Sequence, residues 1–455
     1  MTLEIENYDA PLGAERQYIV KLEDLEHYVK TLSESKGFKE QYDMLRPGPQ
    51  KSCVVGMKPE NKPKNRYQDL LPYDDSRVVL QKHKNDPNSD YVNASYVDGY
   101  KKGTRYICTQ GPLDTTIVDF WRMIWQEDVN VIVMTANIIE GGKKKCEKYW
   151  PDKISKVSDI IITLQNEMTF IDYTIRNFKL QKVGVSGHRI VRQYQYTAWP
   201  DHGVPTYALA LINMLKNIQS FQKTQQKWTP WVLHCSAGVG RSGTVMLLDS
   251  ALEMSLAEGK VDILGILYRM RQQRMNLIET VEQYAFVYRA LVEYHFGDIS
   301  CKPANEMVLY FNKLRQVDPE AKKTGLELQF EKLRKLENPY FQQKCLAALT
   351  PNNKNKNRDP YILPPDDGRP VLKTSPPSNY INAVYAYHYG VQNHFVITQY
   401  PLSNTVADFW QLLWDTGSSS IVVLNEISNK DEVCAFPFLC VFLPYVSKLL
   451  KLHLY

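Results

Sequence analysis

His234-Cys235-Ser236-Ala237-Gly238-Val239-Gly240-Arg241-Ser242 follows directly on the apolar run Trp231-Val232-Leu233. An apolar strand that enters a Gly-rich turn and leaves it as a helix near Ser242 is one crossing of an α/β layout. The turn also carries chemistry. A thiol attacks phosphorus as its thiolate. Backbone N–H groups of a loop wrapped round an anion converge on the Cys235 sulfur, and the positive end of the following helix adds to them, so both favour the thiolate. Gly238, Gly240 and Gly243 allow tight turning and close approach to an anion without a Cβ in the way. Arg241 can grip two equatorial phosphoryl oxygens in a fork that lysine cannot copy. Ser242 can donate to the sulfur and help it leave. A cysteine alone in such a turn is more often a buried structural residue. With Arg241 and three glycines at this spacing, the catalytic reading outweighs the structural one.

Working outward, short β-rich runs are predicted at 77–80, 106–109, 129–134, 160–164, 170–180 and 189–196, with a helix through Phe120, Trp121, Ile124 and Trp125. Upstream, Ile19, Leu22, Leu25, Tyr28, Val29 and Leu32 recur at steps of three and four, one face of an amphipathic helix. Pro47, Gly48, Pro49, Pro59 and Pro63 then break the chain. The order predicts an α/β (α+β) domain with a central, highly twisted mixed β-sheet flanked by helices.

The chain has 455 residues, too many for one ordinary domain, and 44% hydrophobic with 23% charged residues, the mix of a globular protein with a core. A net charge of +5 spread over this length, with no Lys/Arg block, argues against a nucleic-acid binder. The eight cysteines show no C-x-x-C spacing and no Cys/His cluster, so neither a disulfide framework nor a zinc site is expected, and a reducing compartment fits. The acidic, alternating start Met1–Glu6 is unlike a secretory signal. No apolar run reaches the length of a membrane span. The apolar tail from Val433 to Tyr455 is interrupted by Pro437 and Pro444 and charged by Lys448 and Lys451, which favours a buried or ill-formed terminus over a membrane anchor.

An internal repeat changes the domain count. Lys64-Asn65-Arg66-Tyr67 recurs as Lys356-Asn357-Arg358-Asp359. Asp90-Tyr91-Val92-Asn93-Ala94 recurs as Asn379-Tyr380-Ile381-Asn382-Ala383, Thr109-Gln110-Gly111-Pro112 as Thr398-Gln399-Tyr400-Pro401, and Asp119-Phe120-Trp121 as Asp408-Phe409-Trp410. The last three pairs share one offset. A second copy therefore starts near residue 303, giving a lead-in at 1–60, a first domain at 61–300 and a degenerate, incomplete unit at 303–455. No counterpart of the Cys235 loop follows, and Val433-Cys434-Ala435-Phe436-Pro437 begins like the Lys145–Pro151 stretch before losing the pattern.

These motifs, from about Lys64 to Gln283, resemble the protein tyrosine phosphatase family, and the tandem arrangement resembles its receptor-type members. The resemblance implies hydrolysis of phosphotyrosine through a cysteinyl-phosphate, in signal transduction, with Cys235 as nucleophile and Arg241 and the loop residues Ser236, Ala237, Gly238, Val239 and Gly240 binding the phosphoryl group. Trp199-Pro200-Asp201-His202-Gly203-Val204-Pro205 resembles the loop that closes over substrate, with Asp201 as general acid and then base. Tyr67 resembles the residue that stacks on the phosphotyrosine ring in a deep cleft, and Asp69 the one that holds the peptide's backbone amides. Lys145, before the structural Cys146, resembles a lysine placed near the closed loop. Gln283 resembles a glutamine that helps to place the hydrolytic water.

One departure stands out. Where the family carries a first glutamine, Arg274-Met275-Asn276-Leu277-Ile278 is followed by Glu279. A glutamate there puts negative charge near the phosphocysteine and is expected to slow its breakdown. The rival readings are a phosphotyrosine-binding trap with little turnover, a phosphatase of another specificity, and a scaffold using the second unit. By the same resemblance the expected partners are phosphotyrosine-containing proteins and not nucleic acid, no metal or organic cofactor is required, and the site of action is the cytoplasm, at the inner face of the plasma membrane if the chain is part of a receptor-type parent.

Overall fold

The computed structural model describes residues 18–84, 86–170, 172–200, 203–296, 304–335, 345–366, 368–374, 379–388, 391–424 and 451–454. Two compact units divide it, Met1–Leu336 and Glu337–Tyr455.

In the first unit, helix α1 (Leu22–Glu34) buries Leu25 and Val29, as the three-and-four spacing predicts, and α2 (Gly37–Asp43) buries Phe38. The short β1 (Val20–Lys21) leads into them, and α3 (Val54–Met57) lies within the Pro-rich break, between Pro49 and Pro59. The sheet is built from β2 (Arg77–Val79), β3 (Tyr91–Gly99), β4 (Lys102–Thr109) and β5 (Val131–Met134), with α4 (Ile117–Gln126) crossing between the last two. The hairpin β6 (Ile139–Glu140) and β7 (Lys143–Lys144) stands apart. Then come β8 (Ile154–Val157), β9 (Ile160–Thr169), β10 (Tyr173–Lys182), β11 (Arg189–Tyr196), α5 (Leu209–Lys223) and β12 (Trp231–His234). The Cys235 turn leads into α6 (Gly240–Glu258), followed by β13 (Lys260–Val261), which pairs with β1, and by α7 (Ile263–Arg271) and α8 (Val281–Phe296).

The main sheet has nine strands in the order β2-β3-β4-β12-β5-β11-β10-β9-β8. Its centre, β4-β12-β5-β11, is parallel and its wings are antiparallel, so the sheet is mixed as expected. Alternation sends Trp231, Leu233, Val131 and Val133 to one core and Val232, Ile132 and Met134 to the other. The first core is closed by α1, α2 and α5 to α8, and the second by α4. Central parallel strands covered on both faces read as continuous apolar runs, and 131–134 and 231–233 do. Ligands of such sheets bind at the carboxyl ends of the strands, which is where β12 delivers Cys235.

Helices α9 (Met307–Leu314) and α10 (Gly325–Lys335) fall within the first unit by compactness. The second unit holds α11 (Leu346–Leu349), the hairpin β14 (Ala383–His388) and β15 (Val391–Thr398), α12 (Val406–Thr416), and the parallel pair β16 (Ser420–Val423) and β17 (Lys451–Leu454). The repeat survives in its hydrogen bonds. Tyr91 Oη donates to Asn65 Oδ1 at 2.6 Å, and Tyr380 Oη to Asn357 Oδ1 at 2.6 Å. The amide of Arg66 donates to Gln110 Oε1 at 2.8 Å, and that of Arg358 to Gln399 Oε1 at 2.8 Å. Lys64 pairs with Asp119 at 3.6 Å, and Lys356 with Asp408 at 2.9 Å. Residues 433–437 lie outside the described residues. Among the described residues no helix is long and apolar enough to cross a membrane.

Candidate active site

Cys235 follows directly on β12 and is almost wholly buried, 6% exposed. The Gly238 amide donates to its sulfur at 3.2 Å. Gly238 has φ +67°, and a Cβ there would stand 2.1 Å from the Thr109 carbonyl oxygen, so only glycine fits. Gly240 and Gly243 have no such backbone requirement. They lie in the first turn of α6 and admit neighbours instead: a Cβ at Gly240 would be 2.9 Å from Gln283 Nε2 and 3.0 Å from Glu279 Oε2. This places Glu279 and Gln283 beside the loop. The helix begins at Gly240, two residues earlier than expected.

Arg241 does not wait with its fork free. Its NH1 donates to Glu140 Oε1 at 2.7 Å and to Thr135 O at 3.2 Å, and its NH2 to Glu140 Oε2 at 2.9 Å and to Pro200 O at 3.2 Å. That occupies every N–H except the one on Nε, so a two-point grip on a phosphoryl group requires one NH partner to be exchanged. Glu140, from the β6–β7 hairpin, was not legible as a site residue. It lies far from Arg241 in sequence and reads as an ordinary carboxylate before a Gly-Gly turn.

Beneath the loop lies a second arginine the sequence reading did not single out. Arg274 is fully buried, and donates from Nε to Gly238 O at 2.7 Å and from NH2 to Ala237 O at 3.1 Å and Asn93 Oδ1 at 3.0 Å. Its NH1 reaches Ser95 Oγ at 3.2 Å. In a trans peptide the next N–H points away from the carbonyl. By holding two loop carbonyls down, Arg274 turns the following amides toward the sulfur side, as the Gly238 contact shows.

Tyr67 reaches the loop from the other direction. Arg66 Nε and NH2 donate to Gly111 O at 3.0 Å and Pro112 O at 2.8 Å, and the Gly111 amide donates to Ser236 O at 2.8 Å. Tyr67 Oη then lies 3.0 Å from Ser236 Oγ, with the ring exposed at the mouth of the site. Asp69 is exposed on the same turn, and Lys145 is half-buried after the β6–β7 hairpin. Ser242 Oγ is buried and has no hydrogen-bond partner among the described residues; the bond to sulfur comes from Gly238 instead. Asp201 lies outside the described residues. Its neighbour Trp199 is buried, with the Arg241 guanidinium 5.8 Å from its ring centre.

The segment that presents Glu279 is strained and braced. Asn276 and the β-branched Ile278 have φ of +55° and +61°, and such conformations persist only where the surroundings enforce them. Ile278 O accepts from Arg271 NH2 at 2.7 Å and from Tyr42 Oη at 2.9 Å, while Asn276 Oδ1 accepts from the Gly48 amide at 2.8 Å. Tyr42 and Gly48 therefore brace the segment that presents Glu279.

His234, fully buried, sits between Tyr149 Oη, 2.9 Å from its Nε2, and Cys235 O, 3.2 Å from its Nδ1. Burial pushes it down to about 4 from an ordinary 6.5. Between those values the unfolded chain binds a proton that the folded chain does not. This group's stabilisation is therefore complete above pH 6.5 and falls by about 3 kcal/mol as the pH drops to 4. The urea-unfolding stability gap between the wild type and His234→Gln is expected to narrow by that amount between about pH 7 and 4. A gap independent of pH would mean that the ring is not held neutral.

A family model described as protein-tyrosine phosphatase matches residues 61–293 and 353–438. The chain belongs to the protein-tyrosine phosphatase family. Among curated relatives it is 36% identical over 417 residues to receptor-type tyrosine-protein phosphatase U of Gallus gallus, covering 91% of this chain and 29% of that protein. It is 38% identical over 435 residues to receptor-type tyrosine-protein phosphatase zeta of Rattus norvegicus (90% and 19%), and 37% over 427 residues to receptor-type tyrosine-protein phosphatase F of Homo sapiens (92% and 22%). The chain thus spans less than a third of the length of these phosphatases. The two matched segments fall on the two copies of the repeat, and the first of them contains the Cys235 loop.

Proposed function

We propose that the first unit is a protein tyrosine phosphatase that hydrolyses phosphotyrosine in proteins in two steps. Cys235 Sγ attacks phosphorus, forming the S–P bond as the P–O bond to tyrosine breaks, and Asp201 gives its proton to the departing tyrosyl oxygen. Water then breaks the S–P bond, with Asp201 taking the proton and Gln283 placing the water, and inorganic phosphate leaves. Arg241 and the amides of residues 236–241 hold the equatorial oxygens in both steps. The observation that carries this reading is the Gly238 N–H aimed at the Cys235 sulfur with Arg274 fixing the loop carbonyls behind it. Ser242 would donate to the sulfur as it leaves, Asp69 would hold the peptide backbone, and Lys145 would approach the closed Asp201 loop.

Tyr67 at the mouth supports phosphotyrosine over phosphoserine, because a ring-lined entrance leaves the shorter side chain out of reach of Cys235. Matched phosphotyrosine and phosphoserine peptides decide this. Turnover confined to phosphotyrosine is expected, and equal rates would overturn the specificity. The domain reading is a lead-in at 1–60 that braces residues 276–278, a catalytic domain at 61–300 and a non-catalytic second unit at 303–455. The receptor-type relatives support a place of action in the cytoplasm, at the inner face of the plasma membrane where the chain is part of a receptor-type parent.

Glu279 sets the slow step. It is exposed, with a carboxylate oxygen beside Gly240, where it opposes the build-up of charge as water attacks the phosphocysteine. Rapid mixing with a phosphotyrosine peptide is expected to give a burst of dephosphorylated peptide before the steady state. In Glu279→Gln the burst should shrink and the steady rate rise about fivefold, the scale of one screened charge. Absence of a burst in the wild type would remove this role.

A further inference from the structure

Gln193 lies in the middle of β11, fully buried, and touches neither the Cys235 loop nor any group with a part in the reaction. Its partners form a one-way chain. Arg176 NH1 donates to Gln193 Oε1 at 3.0 Å and to Gln195 Oε1 at 2.7 Å, while Arg176 Nε pairs with Glu167. A guanidinium has donors only, so the Gln193 oxygen must face it and the amide nitrogen must face the other way. That nitrogen donates to Tyr149 Oη at 2.6 Å. The hydroxyl hydrogen of Tyr149 is then directed at His234 Nε2, 2.9 Å away, which accepts it. A neutral imidazole that accepts at Nε2 carries its proton on Nδ1, and Nδ1–H donates to the Cys235 carbonyl at 3.2 Å. The other tautomer would set the Nδ1 lone pair against that carbonyl oxygen, leaving two buried acceptors facing each other without a hydrogen.

We propose that Arg176 and Gln193 are positioning residues which, through Tyr149, lock His234 as its Nδ1–H tautomer and so anchor the backbone carbonyl of Cys235 at the base of the loop. The effect on rate rests on Cys235 being the nucleophile; the tautomer does not. Polarity enters at the Arg176–Glu167 pair toward the sheet edge and is passed inward by side chains that each have only one arrangement satisfying all their groups.

The test uses the full chain with 15N-labelled histidine, read by long-range 1H–15N correlation, with His234 assigned from the signals missing in His234→Gln. The wild type is expected to show the Nδ1–H pattern for His234. Gln193→Glu keeps the Arg176 contact on one oxygen and offers the other as an acceptor to the Tyr149 hydroxyl. Tyr149 then turns its oxygen to His234, and the pattern should switch to Nε2–H with kcat on a phosphotyrosine peptide about tenfold lower, the worth of one lost hydrogen bond. Tyr149→Phe removes the hydroxyl altogether, leaves the Cys235 carbonyl alone to select the tautomer, and should retain the Nδ1–H pattern. An Nε2–H wild type, or an unswitched Nδ1–H form in Gln193→Glu, would overturn the relay, and an Nε2–H form in Tyr149→Phe would overturn the anchoring of the Cys235 carbonyl. A wild type with the Nδ1–H pattern but no phosphatase activity would leave the relay standing and refute the functional reading instead.

Discussion

Cys235→Ser is expected to lower phosphotyrosine-peptide turnover by about a hundred-thousand-fold while leaving peptide binding within about threefold of the wild type. The sulfur is the only group at the centre of the loop that can form a bond to phosphorus. A serine hydroxyl is a far weaker acid than a thiol and stays protonated where no base adjoins it. The binding apparatus does not depend on sulfur. The Gly238 amide has an acceptor in either residue, Arg274 grips main-chain carbonyls, and Glu140 holds Arg241 from the side. Steady-state rates together with calorimetric binding of the phosphopeptide separate the two effects. A variant retaining a tenth of the activity would exclude covalent catalysis by this residue.

Arg241→Lys should cost about a thousand-fold in kcat/KM, about 4 kcal/mol of transition-state stabilisation. Lysine keeps the charge but loses the planar fork. In the wild type one edge of that fork is fixed by the two Glu140 oxygens at 2.7 and 2.9 Å, which orients the group while one outer NH partner, Thr135 O or Pro200 O, is exchanged for a phosphoryl oxygen. A lysine ammonium would be drawn to the Glu140 carboxylate and sit there as a point charge, unable to span two phosphoryl oxygens. Most of the loss should fall on kcat, because the oxygens spread and gain charge in the transition state. Inhibition by inorganic phosphate, a ground-state mimic, should weaken much less. A loss under tenfold would mean that the loop amides carry the charge alone.

The sequence reading reached the parts of the molecule whose signals are local. The strand, turn and helix around Cys235 sit within about ten residues of one another, and β11 falls on the β-rich run read at 189–196. The strand β3 was not predicted, for a physical reason. Its polar Asn93 and Ser95 interrupt the apolar pattern, yet both are buried, because they receive the side chain of Arg274 from the far end of the domain. The same non-locality hid Glu140 and Arg274: each becomes a site residue only through a partner brought close by the fold. Arg241 was read as a phosphate ligand, and its pairing with the Glu140 carboxylate was not legible. In the second unit, identical hydrogen bonds at Asn65 and Asn357, and at Gln110 and Gln399, show why those short motifs recur: each side chain there ties the loop to the strands beside it.

The most direct test of the account is to mix the chain with a phosphotyrosine peptide, quench in acid during the first turnovers, and locate the phosphoryl group by peptide mass spectrometry. The account predicts one phosphoryl group on the Cys235 peptide, present in the wild type, less abundant in Glu279→Gln and absent in Cys235→Ser. Continued hydrolysis in the wild type with no phosphoryl group on Cys235 at any quench time, and undiminished hydrolysis in Cys235→Ser, would contradict it.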